Sequence, residues 1–273
     1  MRMGKYMFKF QSKKYLKIAN MSIKRIVTYK YGIAISVMAT IVSIFILQKF
    51  WQVLYKNDVH QYTYMANYAV ISQILGIIYN LKTPNKLISS IKTGSISVEL
   101  LRPWNYMLSL FFEDLGNIMG NILTGGIILY MLSKVMFGLS MPSFGVFVMF
   151  LEAVFFAYIL VFLIKSIVAM ISFWVVEASS LLILSNIVIN LLSGQFLPTW
   201  ILPEWFEDKI QNLPFVWIYQ RPIEIYLSDL NNQILMYDYV QVIVMQIAWI
   251  LILSILAMIM WKKATKKLSI QGG

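Results

Sequence analysis

The sequence contains no cysteine, which excludes disulfides, thiolate catalysis and cysteine-ligated metals. It has one histidine, His60, with no second metal ligand near it in sequence. His60 therefore reads as an interfacial residue, and no metal site is expected. Charge is also scarce: 13% of residues are charged, against roughly 25% in soluble domains. No H-x-x-x-x-D, H-E-x-x-H or Ser/His/Asp set occurs, which weighs against an intramembrane enzyme such as a transferase. The phosphate-binding loop G-x-x-x-x-G-K-[ST], whose backbone N–H groups and lysine hold nucleotide phosphates, is missing as well.

What is present is apolar. Of 273 residues, 59% are hydrophobic, which points to an all-α polytopic membrane protein. Six segments have the roughly 20 mostly apolar residues that a spanning helix needs. They are about 31–53, 62–80, 107–137, 144–164, 166–193 and 241–261. The second carries Tyr62, Tyr64, Asn67, Tyr68, Ser72 and Gln73, so it is expected to face other helices and not lipid. The basic N-terminus lacks an apolar core and a small-residue cleavage site, and is expected to be retained. Of 23 Lys and Arg residues, 18 lie in 1–30, 81–105, at Lys165 and in the C-terminal tail. Lys165 is read as marking the turn between the fourth and fifth spans. By the positive-inside rule both termini are cytoplasmic. The net charge of +11 is accounted for by this topology and by anionic lipid, and implies no nucleic-acid partner.

Three segments lie outside the spans. Residues 1–30 form an amphipathic elbow preceding a single transmembrane domain, 31–273. Lys9, Lys13, Lys17 and Lys24 share one stripe, opposite Met7, Phe8, Tyr15, Ile18 and Ile26, as in a helix lying in the membrane interface. Such an elbow is a simple anchor or also touches a cytoplasmic partner. The loop 81–105 contains "TPNKLISSIKTG", a short helix capped by Thr83, opened by Pro84 and ended by Gly94. Leu87, Ile88 and Ile91 give it one apolar face. Residues 194–240 hold four prolines among Trp200, Trp205, Phe206, Phe215, Trp217 and Tyr219. They predict a re-entrant external hairpin between spans five and six, with Trp200, Trp205 and Trp217 forming a gate.

Leu192-Ser193-Gly194-Gln195 looks like a shortened signature loop of an ATP-binding-cassette ATPase, but it lies where the fifth span leaves the membrane externally. Without a phosphate loop it is not a nucleotide site. The order of elements, and the strings "IKTGSISVELLRPWNY", "FWVVEASSLL", "LLSGQFLPTWILPEWFEDKIQNLPF", "YQRPIEIYL" and "KKLSIQGG", instead resemble a bacterial ABC-2-type exporter permease. Ser228 stands where that family usually has Gly, a local departure.

The resemblance implies a half-transporter in the bacterial plasma membrane. Two permease chains, identical or related, would pair with two ABC ATPase subunits that bind ATP and Mg, while this chain holds no cofactor and is not itself an enzyme. Motion would pass through the loop, with Leu87, Ile88, Ile91, Gly94 and Glu99 at the coupling site. Glu113, Asp114, Glu152 and Glu177 lie within spans, where a bare charge costs about 2.5–3.5 kcal/mol. They are expected to face the bundle or a partner, as structural pairs or as substrate contacts. Glu152 is the better substrate candidate. An intramembrane enzyme, or a non-transporting membrane scaffold or sensor subunit, is the alternative function.

Overall fold

A computed structural model describes residues 2–28, 30–175, 178–231 and 236–271. All regular elements among them are helices. The long helices are α1 (Arg2–Thr28), α2 (Lys30–Leu54), α3 (Val59–Ile78), α6 (Tyr106–Asn121), α7 (Ile127–Phe137), α8 (Phe144–Met170), α9 (Ala178–Leu192) and α13 (Met236–Gln271). A π turn, Ile122–Gly126, joins α6 to α7 as one rod. Short helices fill the connections: α4 (Thr83–Lys92), α5 (Ile96–Leu100), α10 (Glu204–Gln211), α11 (Gln220–Tyr226) and α12 (Ser228–Asn231).

Four helical stretches are long and apolar enough to cross a membrane: Tyr31–Leu54, Tyr106–Phe137, Phe144–Phe173 and Asp238–Lys267. Their outer faces leave large side chains such as Ile35, Met38, Val42, Leu251, Ile255 and Met258 exposed. Apolar surface on this scale is stable only against lipid or protein. The 20 residues of α3 are more polar and more buried, as its sequence predicts, with Asn67, Tyr68 and Ser72 all inside. The 15-residue α9 is shorter than its hydrophobic run.

One boundary differs from the sequence reading. Lys165 marks no turn, because α8 runs through it to Met170, and a 3-10 turn, Ile171–Phe173, follows. The lysine stays in the helix because its ammonium donates to the Tyr79 carbonyl at 3.0 Å. A single polar residue with a partner does not end a helix.

The packing centre is α8, whose small residues Ala153 and Ala157 are fully buried. It meets α13, α11, α9 and α4. At one end of the bundle lie α4 and α5; at the other lie α10 and α12. The connection between α9 and α13 does not stay at the α10 end. Tyr219 meets Tyr79 edge-on, with centroids 5.0 Å apart, at the far end of α3. Gln246 on α13 donates to the carbonyls of Trp217, 2.8 Å, and Ala153, 3.0 Å. Irregular backbone buried among helices needs such partners for its carbonyl groups.

The first helix packs on protein along its inner face. Tyr15, Ser22 and Ile26 are buried against α6, while Leu16 and Met21 stay exposed. Tyr15 stacks on Phe112 at 5.3 Å and accepts a hydrogen bond from the Asn105 N–H at 2.9 Å. The close approach depends on Gly116 and Gly120. A Cβ on Gly116 would lie 2.2 Å from the Ala19 carbonyl oxygen, and one on Gly120 2.8 Å from the Ile26 Cβ. Gly-x-x-x-Gly spacing puts both on one helix face, which is how membrane helices approach closely.

Candidate functional site

The α4 end is held by two adjacent carboxylates of α6. Thr83 does not cap α4 through its own side chain, contrary to the sequence expectation; it is the first helical residue. The cap comes from Asp114. Its carboxylate accepts from the N–H groups of Lys82, 3.2 Å, and Thr83, 3.3 Å, and also from the Thr83 hydroxyl. The free N–H groups of a helix start suit an anion. Glu113, one residue earlier, bridges two cations: Lys86 of α4 at 2.6 Å and Arg25 of α1 at 3.0 Å. Arg25 also donates to Asn117 at 3.1 Å. Three helices are thus tied at one point. Glu113 and Asp114 are both buried, and their carboxylates are taken up by these contacts within the chain.

Two residues expected to anchor a partner face inward. Leu87 and Ile88 are 1% and 3% exposed, and Ile91 is half-buried on the same core. The amphipathic face of α4 is satisfied by this chain, on α8 and α9. Gly94 does end the helix, with φ +73°. Beyond it Ile96 is buried, but Val98 and Leu101 are 62% and 85% exposed. Beside them Glu99 pairs with Arg102 at 3.1 Å, and Arg102 lies over the Trp104 ring at 5.3 Å. The exposed apolar surface of the loop is therefore the α5 turn. Sequence periodicity marked the amphipathic helix and could not say which side of it the chain itself would cover.

Glu152 is exposed on α8 and accepts a hydrogen bond from the Tyr239 hydroxyl at 2.5 Å. Glu177 lies outside the described residues. Neither Glu113, Asp114 nor Glu152 lines the cavity that opens between α2, α3 and the π turn. That cavity, about 540 Å³, is lined by Ser36, Thr40, Gln73, Asn80, Asn121 and Gln195, among others. The Gln73 amide nitrogen and the Gln195 amide oxygen are buried there without a partner. The sequence reading named Gln73 as a polar residue of the second span and Gln195 in the Ser-Gly-Gln string, but assigned neither to a cavity. Their only signal was polarity within apolar runs.

The Ser-Gly-Gln turn has a structural reason. Gly194 has φ +80°, and a Cβ there would lie 2.9 Å from the Tyr68 hydroxyl, which donates to the Gly194 carbonyl at 2.6 Å. The turn lets the chain pass from α9 into the inserted segment. Ser193 and Gln220 then share a backbone bond of 3.0 Å, and the Gln220 side chain accepts from the Thr199 N–H at 2.8 Å.

At the α10 end the three candidate gate residues separate. Trp205 is 66% exposed, against Phe206 and under Lys209. Trp200 and Trp217 line a common cavity of about 390 Å³ with Tyr64, His60, Arg221 and Glu224. Arg221 and Glu224 pair at 2.8 Å, and Gln220 donates to Glu224 at 2.9 Å. Burial pushes the Glu224 carboxyl above its ordinary range, an effect that the Arg221 charge and these hydrogen bonds oppose. Among the described residues no group of three His, Cys, Asp or Glu is placed to hold a metal.

A family model described as ABC-2 family transporter protein matches residues 38–272. No curated protein matches the chain.

Proposed function

The chain belongs to the ABC-2 transporter family, and we propose that it is the permease subunit of an ATP-driven exporter. In this reading it carries six spans, with α3 and α9 joining the four long apolar stretches, and sits in a bacterial plasma membrane. Both termini are cytoplasmic, and α4 and α5 face the cytosol. Two permease chains form the pathway with two separate ABC ATPases, which alone bind ATP and Mg. The reading rests on family membership, and the observation that makes it mechanical is the clamp on α4. A push on α5 reaches α6 through Asp114 and Glu113, and α1 through Arg25. The docking anchors are Val98 and Leu101, which replace Leu87 and Ile88. Interface energy concentrates in a few buried apolar residues, and these two are the ones left bare. The polar cavity beside Gln73 and Gln195 is the path within the membrane, and Trp200 with Trp217 flank its outer exit.

Purification of the tagged chain from its native membrane tests this. Two copies of an ATPase should come with it, and substrate-free ATP hydrolysis should follow the complex and not this chain alone. A tag near Asp208 should be cleaved by external protease in intact cells. Copurification of a soluble enzyme and no ATPase would replace the transporter reading with the scaffold one.

A further inference from the structure

The cavity between α2, α3 and the π turn is lined by charge of one sign. Its lining residues include one cation, Lys82, and neither Asp nor Glu. Lys82 is exposed, and its ammonium has no carboxylate partner among the described residues. Asp114 accepts from the Lys82 backbone N–H at 3.2 Å, but that carboxylate is fully buried and does not line the cavity. Neutral polar groups accompany the lysine. Ser36 and Asn80 are exposed and Asn121 is half-buried, and none of these three side chains has a hydrogen-bond partner among the described residues. Hydroxyls and amides can each donate and accept.

The rest of the wall is apolar. Ile26, Ile33, Val37 and Ile77 line the same space, and α2 beside it carries the exposed Ile35, Met38 and Val42. A hydrogen-bonding, singly basic part thus adjoins an apolar part at the flank of a spanning helix, in a cavity of about 540 Å³. A cationic cargo would find no counter-charge among these lining residues and would meet Lys82. A bare inorganic anion would gain nothing from the isoleucine wall. A molecule with an acidic head and an apolar tail uses both parts. Its head accepts from Lys82, Asn80 and Asn121, and its tail is withdrawn from water against the isoleucines. The cavity also has room at one point. A Cβ on Gly76 would lie 2.8 Å from the Gln195 amide nitrogen and one on Gly125 3.2 Å from Ile33, whereas one on Gly32 would meet nothing within 4 Å.

We propose that this cavity binds an anionic amphiphile, a single acidic head group such as a phosphate on an apolar tail, with Lys82 as the residue that selects its charge. The proposal rests on the reading of the cavity as the path within the membrane, and it gives the class of cargo that enters there.

The test uses the full chain in phosphatidylcholine nanodiscs. Because the chain has no cysteine, a Ser36→Cys variant places one thiol in the cavity, and its rate of alkylation by N-ethylmaleimide reports occupancy. Dodecyl phosphate should slow the reaction saturably, while dodecyltrimethylammonium and inorganic phosphate should not. Adding Lys82→Gln, an exposed change that keeps the backbone N–H, should raise the half-protecting concentration about twofold to fivefold, as for one exposed ion pair. Adding Gly32→Leu, which puts a side chain into open space, should abolish protection with the thermal midpoint preserved. Equal protection by the ammonium amphiphile overturns the charge selection, and protection by inorganic phosphate alone overturns the need for a tail. Silence towards all three probes, or protection that neither variant changes, overturns the site. None of these failures touches ATPase copurification, so the transporter reading stands or falls separately.

Discussion

Glu113 and Asp114, at the α4 end, are held by Arg25, Lys86, Lys82, Thr83 and Asn117. Trp217, Arg221 and Ser228, at the α10 end, each keep a buried polar atom with no partner. Both regions are polar groups set among apolar helices. One is closed on itself, and every charge in it joins two helices. The other is open and incomplete. A closed network transmits displacement between elements and offers nothing to a ligand. On the function proposed above, the closed region is the one that would carry mechanical coupling.

The largest expected effect tests the closed end. Asp114→Leu removes the cap of α4 and leaves two N–H groups and a hydroxyl unpaired. A loss of about 3 kcal/mol or more is expected, read as a lowered thermal midpoint in detergent. A midpoint unchanged from the parent would mean that the clamp carries nothing.

Next is the joint between α1 and α6. Gly116→Val drives a side chain into the Ala19 backbone, and overpacking of this kind costs about 1–3 kcal/mol. Because the chain has no cysteine, a Ser22→Cys, Asn117→Cys pair can report the displacement. Cross-linking should drop when Gly116→Val is added, and persistence of the cross-link would separate α1 from the clamp.

Leu101→Asp should leave the fold intact while reducing ATPase retention by about 2 kcal/mol, or roughly thirtyfold in affinity. Ile88→Asp should instead lower the thermal midpoint, because that side chain is already inside. If Ile88→Asp removes the ATPase from a folded chain and Leu101→Asp does not, the docking face is the one read from sequence.

The smallest effect sharpens the open end. The Glu224 carboxyl titrates above its unfolded value, so the folded chain holds that proton longer than the unfolded one. Its contribution therefore favours the folded state at low pH. That stability is lost as pH rises from the ordinary carboxylate range through the folded value. Glu224→Gln should remove this slope from a plot of thermal midpoint against pH. A slope of unchanged size would place its origin elsewhere.

Much of this architecture is legible in the residues. Long apolar runs read as helices because hydropathy is a sum over neighbours in the chain. Gly94 and Pro84 mark the ends of α4 because their backbone limits are local. Gly116-x-x-x-Gly120 was also present as a signal of close approach, although the string does not say which helix comes near. The carboxylates at 113 and 114 were visible as costly charges, with two readings open. Only their neighbours could choose between them.

The amino-acid sequence by itself determined the membrane character of this protein, its helical class and its family, because each depends on composition, period and order along the chain. The tertiary structure alone decided that Asp114 caps a helix beginning 31 positions earlier, that α4 turns Leu87 and Ile88 inward and leaves Val98 and Leu101 bare, and that Trp200 shares a cavity with Trp217 and not with Trp205. These are pairings between distant segments. An amphipathic face, a carboxylate or an indole carries the same information in the chain whichever neighbour it meets, and only packing settles which neighbour that is.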